Sequence, residues 1–512
     1  MSLNLGDVQG NVLRGYKHMH FAAYLFCEFA NRKPPRKLLR KLGKSPRGED
    51  DQWPHVMSAK PWREKASVHE ALNVALSYRG LWRLGWGEWF EDDRFEDFRQ
   101  GMRKRWKLLG DPDPHTWQPE LSGEVDLLFV VYAEWERLLE EKIAELEARL
   151  PGWGLTLTLC QRAATLQDKD KGRALREHFG FRDGFSQPVP DLEGAGGYKS
   201  ERGVVGEGVL RKPWRANCWR PVRLGEFLLG HKDEDGVFAG GCDATAPFYN
   251  GTFMVWRKLE QDTVAFKKYF DDLGADGERL KAKVVGRWRD GTSLVDAPWA
   301  PPPHAPRKRK PHNAFSYAGD PDGARCPIGS HVRRSNPRAS LGYGTERAKR
   351  HRIIRRGVPY TEGDRKGLIF VCFNASISRQ FELIQGSWLM DGDAFGLGAE
   401  QDFLLGGGRA GAIVTIPGGR GAPARFLERG AQRFVRPQGG YYLLLPSRSA
   451  LKRMGKGKFP GRSGTPGPST RTVLVGAAVL ALWPWRGLKK RGRVDHKPHI
   501  KLLGKLPRLP RK

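Results

Sequence analysis

The stretch VDLLFVVY, Val125 to Tyr132, is apolar, rich in β-branched residues and as long as one strand. It runs directly into Ala133–Leu150, where Trp135, Leu138, Leu139, Ile143, Leu146 and Leu150 recur at helical spacing. Pro151 and Gly152 then stop the helix. The same cycle returns at Gly251–Trp256 (GTFMVW) with Glu260–Phe270, and again at Leu368–Phe373 (LIFVCF) with Ser378–Trp388. A strand that flows into an amphipathic helix buries the helix stripe on a sheet face, which predicts an α+β fold with helices laid on sheets.

At 512 residues the chain can bury a large core and divide into two or three domains. The boundary is expected in the glycine-rich stretch near Gly194–Gly208, which gives an N-terminal domain over 1–205 and a C-terminal domain over 206–451. Pro301–Pro311 (PPPHAPRKRKP) reads as a surface loop, because patterned sequence resumes on both sides. Residues 452–512 read as a linker rich in Gly, Pro, Ser and Lys, followed by a basic tail. Within it Val473–Trp485 is apolar but shorter than the roughly 20 residues that span a bilayer. It fits either a packed element or a contact with a membrane surface.

The net charge of +31 attracts anions of any kind, including nucleic acid, acidic lipid and polyanionic organic molecules. Seventeen Trp and twenty-five Phe are enough to wall a sizeable apolar cavity. The six cysteines are scattered without a CxxC, which suits reduced thiols. The start, MSLNLGDVQG, shows neither an apolar h-region nor a twin-arginine run, so the expected setting is cytoplasmic.

Three segments carry chemistry. His178–Pro188 (HFGFRDGFSQP) places Asp183 between Gly180 and Gly184, where glycine lets backbone approach a flat ligand; a tight turn with an Asp cap fits the same spacing. Cys326–Arg338 (CPIGSHVRRSNPR) sets His331 ahead of Arg333, Arg334, Asn336 and Arg338. A neutral imidazole is a good axial ligand for iron, and guanidiniums suit the carboxylates of a porphyrin, although a loop histidine beside a basic patch also fits. Arg350–Tyr360 (RHRIIRRGVPY) precedes the strand that holds Leu368 and Phe370. An arginine next to apolar residues there could stabilise negative charge in a dry pocket, while a lone RR pair is usually surface charge.

Together and in this order, the segments resemble the signature of the dye-decolorising peroxidase family: the GxxDG turn, the histidine in CPxGxHxRxxNPR and the arginine of RRGxPY. DVQGNVLRGY, GEVDLLFVVY, NGTFMVWRKL, GRWRDGTSL and GGYYLLLPS extend the resemblance over residues 6–449 and leave the tail unmatched. The resemblance implies two ferredoxin-like units of the dimeric α/β-barrel type, with haem b mainly in the C-terminal one. It implies His331 as the iron ligand, and Asp183 with Arg355 as the groups that cleave the peroxide O–O bond on the way to an oxoferryl haem. Arg355 is preferred to Arg356 because it lies four residues before Pro359. Gly184, Phe185, Arg338, Leu368 and Phe370 are implied cofactor contacts, and Asp402 is the candidate carboxylate behind His331. The absence of CxxCH agrees with non-covalent haem.

The implied function is oxidation of bulky aromatic dyes and phenolics by hydrogen peroxide, with the positive field favouring anionic reductants. A carboxylate base, with a reference pKa near ~3.9, favours mildly acidic pH. Two other readings stand beside it: a deferrochelatase-like haem-binding and iron-release protein, and a basic polyanion- or nucleic-acid-binding protein, for which no recognition motif is present. A homo-oligomer is compatible with the family. The ending HIKLLGKLPRLP faintly resembles peptides that load family members into protein nanocompartments, and a solvated basic extension fits it better.

Overall fold

The computed structural model describes residues 3–457, apart from 31–33, 45–53, 63–67, 167–175, 185, 193–220, 302–312, 314, 342–346, 408–412, 420 and 422. The expected boundary, most of the 301–311 loop, Phe185 and everything in the tail lie outside the described residues.

The first half contributes β1 (Phe21–Phe29), β2 (Glu70–Leu76), β3 (Leu127–Ala133) and β4 (Leu155–Ala164). The second contributes β5 (Thr252–Gln261), the short β6 (Ile354–Arg355) and β7 (Val358–Glu362), then β8 (Arg365–Asn374). The two-stranded ribbon of β9 (Ile413–Ile416) and β10 (Arg425–Glu428) stands apart, and β11 (Val435–Leu445) returns to the main sheet. That sheet runs β4-β1-β3-β2-β11-β5-β8-β6, with β7 also pairing β8. Each half therefore repeats the order fourth, first, third, second, which is the ferredoxin-like arrangement, and all the pairings are antiparallel. A single pair, Leu444 with Leu76, joins the halves along the sheet.

Period-two patterning explains why both faces are dry. In β1, Ala23, Leu25, Cys27 and Phe29 enter one core while Ala22, Tyr24 and Phe26 enter another. In β8, Ile369, Val371 and Phe373 join the second core, and Leu368 and Phe370 face the other way. The second core is the concave interior, built around Trp256 with Tyr24 and Phe26 edge-on at 5.8 and 4.8 Å. The outer faces are covered by helices. On the first half lies Glu136–Arg149, which buries Leu139, Ile143 and Leu146. Trp135, expected in that stripe, instead precedes the first turn and is 50% exposed. On the second half lie Thr263–Asp271 and Ile377–Leu389, the latter wound as a π-helix.

Residues 452–456, expected to open the linker, instead finish the helix Arg448–Lys456. Leu451 and Met454 are buried there, and the helix packs against Arg36–Leu42, so apolar spacing outweighs the linker-like composition. Among the described residues no helix is long and apolar enough to cross a membrane.

The two edges of the sheet meet through side chains. Glu362 on β7 accepts from Gln161 on β4 at 2.7 Å and from Lys258 on β5 at 2.7 Å. Lys258 is 1% exposed, so its charge depends on that carboxylate. Glu362→Ala is expected to destabilise the fold by about 2 kcal/mol, and the double change Glu362→Leu with Lys258→Met by less, because the stranded charge is what costs most. Chemical denaturation of the two variants checks this.

Candidate functional site

Between the outer face of the second half-sheet and its covering helices lies a cavity with an empty volume, mouth included, of about 1620 Å³. Its apolar wall comes from the strand face that carries Leu259, Leu368 and Phe370, and from Phe381, Ile384 and Leu389 of the π-helix. The wider turn of a π-helix shifts side chains off the i, i+4 rows, and such segments gather at functional sites.

His331 opens a five-residue helix, His331–Ser335, and lines this cavity. Its Nδ1 hydrogen-bonds Asp402 Oδ2 at 3.0 Å. Asp402 is fully enclosed, and its other oxygen accepts from the backbone N–H groups of Leu404 and Leu405. Burial works against a charged imidazole, but the Asp402 charge and hydrogen bond outweigh it and raise the His331 pKa. Burial likewise opposes the Asp402 charge, and His331 with the Leu405 N–H nevertheless holds that carboxyl below its ordinary range. The Nε2 side takes no protein partner among the described residues, and the side chain, 28% exposed, lines the cavity. An imidazole fixed on one nitrogen by a carboxylate and open on the other is the donor arrangement of a metal-bound histidine.

The sheet side supplies a second polar pair. Arg355, the last residue of β6, donates from Nη1 to Asp183 Oδ1 at 3.3 Å, and both side chains are 33% exposed in the cavity wall. Asp183 sits on a hairpin whose turn uses Gly180 at φ +90°, with Gly184 at φ +82° just beyond it. The hairpin is stitched to β6: Gln187 Oε1 accepts from the Arg355 N–H at 2.9 Å, and Arg352 donates to the Ser186 carbonyl at 2.7 Å. Ser186 itself is held at φ +54°, a strained backbone on the cavity wall.

Of the expected residues, the structure brings His331, Asp183, Arg355, Leu368 and Phe370 to one cavity, with Asp402 behind the histidine. Arg356 points away; its guanidinium serves the carbonyls of Asn11, Val12 and Arg14. Arg338 is not brought to the cavity. It donates to the carbonyls of Asn313 and Phe315 and stacks on the Phe315 ring at 4.0 Å, so its place in the basic block reflects loop packing. Gly184 neighbours Asp183 without lining the cavity.

Sequence reasoning missed Glu177, Arg287 and Arg352, all of which line the cavity. Arg287 lies in the GRWRDG block and reaches Ser186 Oγ and Asn313 Oδ1. Glu177, two residues before Phe179, anchors the Asp183 hairpin by accepting from the Phe179 and Phe181 N–H groups at 2.8 Å each. Burial pushes its carboxyl up to about 7, against the hydrogen bonds that favour its charge. A carboxyl whose pKa is raised on folding costs stability as pH climbs from its ordinary value toward about 7. Glu177→Gln is therefore expected to flatten the decline in stability of the haem-free protein over that window, as read by denaturation at several pH values.

A model for the DyP dimeric alpha+beta barrel domain matches residues 7–163, and one for the Dyp-type peroxidase C-terminal domain matches residues 231–395. Dye-decolorizing peroxidase msp1 of Mycetinis scorodonius is 26% identical, the alignment covering 88% of this chain and 87% of that protein. The multifunctional dye peroxidase DyP2 of an Amycolatopsis species is 27% identical over 88% of this chain and 96% of its own. A crystal structure of AauDyP complexed with imidazole superposes with a TM-score of 0.72 over 89% of this chain and all of that one, at 23% identity. Likeness to the deferrochelatase of Yersinia pestis is 31% but extends over only 21% of this chain and 23% of that protein. Both halves of the chain thus match models of one family, and the chain belongs to the dye-decolorising peroxidases, a family of oxidoreductases.

Proposed function

We propose that the cavity holds a non-covalently bound haem b with His331 as its iron ligand, and that Asp183 and Arg355 carry out the proton chemistry of peroxide cleavage. The observation that supports this most is one cavity lined both by an imidazole braced by Asp402 and by a carboxylate paired with a guanidinium. The apolar wall of Leu259, Leu368, Phe370 and Phe381 fits the faces of a flat macrocycle, and Arg287 with Arg352 fits its carboxylates. None of the described lining residues is a cysteine, which accords with non-covalent binding.

Bound haem supplies the redox centre at which hydrogen peroxide is reduced and from which aromatic donors are oxidised. The chain's own groups manage protons and charge. Asp183, with Oδ1 held by Arg355, takes a proton at Oδ2 from one peroxide oxygen and returns it to the other, so that water leaves rather than hydroxide. Arg355, permanently charged, stabilises the negative charge that builds as the oxygens separate. Asp402 keeps the His331 Nδ1 proton in place, which orients Nε2 and makes it a stronger donor. With the cavity filled, its apolar walls would keep water from these charges, which would then act in a lower dielectric. Bulky anionic dyes and phenolics are the favoured reductants, drawn by the net charge of +31.

Protein reconstituted with haemin is expected to show a strong Soret band that His331→Ala abolishes. Asp183→Asn and Arg355→Leu should keep the band and slow peroxide turnover by about 10²–10³-fold. Arg356→Leu should lower thermal stability and leave turnover within a few-fold. An Arg356 variant as slow as the Arg355 one, or a Soret band that survives loss of His331, overturns the assignment.

A further inference from the structure

The pair formed by His331 and Asp402 joins chain segments 71 residues apart, and nothing in the pair itself fixes their separation. A single guanidinium does. Arg334 is completely buried and spends its donors on backbone carbonyls alone. Nε donates to Gly329 at 3.2 Å, Nη1 to Trp388 at 3.0 Å and to Asp391 at 3.2 Å, and Nη2 to Glu400 at 3.0 Å. Gly329 lies two residues before His331, and Glu400 two residues before Asp402. Trp388 and Asp391 mark the end of the π-helix Ile377–Leu389, whose carbonyl end favours a cation. The same helix end also receives the Asp402 N–H, through Leu389 O at 2.7 Å. Three stretches, around Gly329, around Trp388–Asp391 and around Glu400, therefore converge on one charged donor.

We propose that Arg334 is the positioning residue of the axial histidine: by spanning Gly329 and Glu400 it sets the distance and alignment of the bond between His331 and Asp402, and through it the donor strength of Nε2. Lysine cannot do this. Its ammonium is a point charge on a flexible stem, with three donors against the five in the fork of a guanidinium. The acceptors here draw on all three guanidinium nitrogens, Nε, Nη1 and Nη2. No carboxylate neutralises Arg334 directly, so its charge is held by carbonyl dipoles and by the face of Phe395 at 5.7 Å. Asp402, Glu400 and Asp391 act on Arg334 only through space, so what its hydrogen bonds fix is the backbone of Gly329, Trp388, Asp391 and Glu400.

The inference rests on His331 being the iron ligand, and its test separates the two. Arg334→Lys and Arg334→Gln are prepared as haem complexes beside Arg333→Lys. Arg333 is a buried neighbour whose guanidinium serves Asp320, Cys326 and Ser340 instead, so it controls for general loss of stability. The measurements are the rate of haem transfer to an acceptor globin, the iron–imidazole stretching frequency in the reduced state, and the melting temperature. The Arg334 variants are expected to lose haem about 10-fold faster and to shift the stretch to lower frequency, as follows when the carboxylate behind a metal-bound histidine is displaced. Arg333→Lys should lower the melting temperature without moving the stretch. Should Arg334→Lys fail to fold, Arg334→Gln, which keeps a polar group near Gly329 but cannot reach Glu400, is read the same way. An unshifted stretch in folded Arg334 variants, or an equal shift in Arg333→Lys, overturns the inference. Haem retention by His331→Ala overturns instead the ligand assignment beneath it.

Discussion

A sheet that must be dry on both faces governs this structure. Each half offers a strand order that leaves one face for helices and the other for a shared interior. Among the described residues the interior is packed with large aromatic side chains, Trp256 foremost. The described cavity opens on an outer face, where a helix stands off from the strands. The first half closes that gap with a continuous apolar core that Leu139, Ile143 and Leu146 of its covering helix complete. The second half leaves it open, and its helices line the opening instead of filling it. Two units of one topology thus divide the work, one packed solid and one hollow.

Much of this was legible in sequence because it depends on local patterning. The runs at Val125–Tyr132 and Leu368–Phe373 became β3 and β8, shifted by one to three residues at their ends, and the helical stripe that follows the first became Glu136–Arg149. The GxxDG, CPxGxH and RRGxPY segments led to Asp183, His331 and Arg355 because each keeps its chemistry inside a short window. Asp402 was reached only loosely, as one carboxylate in an unpatterned stretch. What stayed hidden has a common cause. Glu177, Arg334 and Arg352 act by bonding backbone groups, and a backbone carbonyl or N–H leaves no mark on residue identity. Arg338 shows the converse, a cation in the right motif whose partners prove to be loop carbonyls. The π-helical winding at Ile377–Leu389 was equally invisible, since no residue type marks a shift from i→i+4 to i→i+5 hydrogen bonding.

The cavity combines charges that composition alone cannot order. Arg287, Arg352 and Arg355 line it together with Glu177 and Asp183. Arg182 and Arg257 line it as well, so the chain's positive excess extends into the site, although several of these guanidiniums are already committed to carbonyls, hydroxyls or carboxylates. Arg287 is a clear case: it is deeply buried, burial drives its pKa down to about 10, and it remains a cation at any working pH.

The two aspartates show how environment divides roles between identical side chains. Asp402 has no exposure, accepts two backbone N–H bonds and faces an imidazole, so both its oxygens are occupied and its charge is fixed in place. Asp183 is one-third exposed to the cavity and tied by one oxygen to a guanidinium that itself stands in the wall. A carboxylate locked from every side can orient a partner but cannot exchange a proton with an incoming molecule; one held at a single oxygen can do so. The difference comes from position in the fold: Asp402 follows the end of the π-helix, inside the packed layer, whereas Asp183 rides a hairpin stitched to the edge strand β6. Exchanging their surroundings would exchange their functions, with no change in residue type.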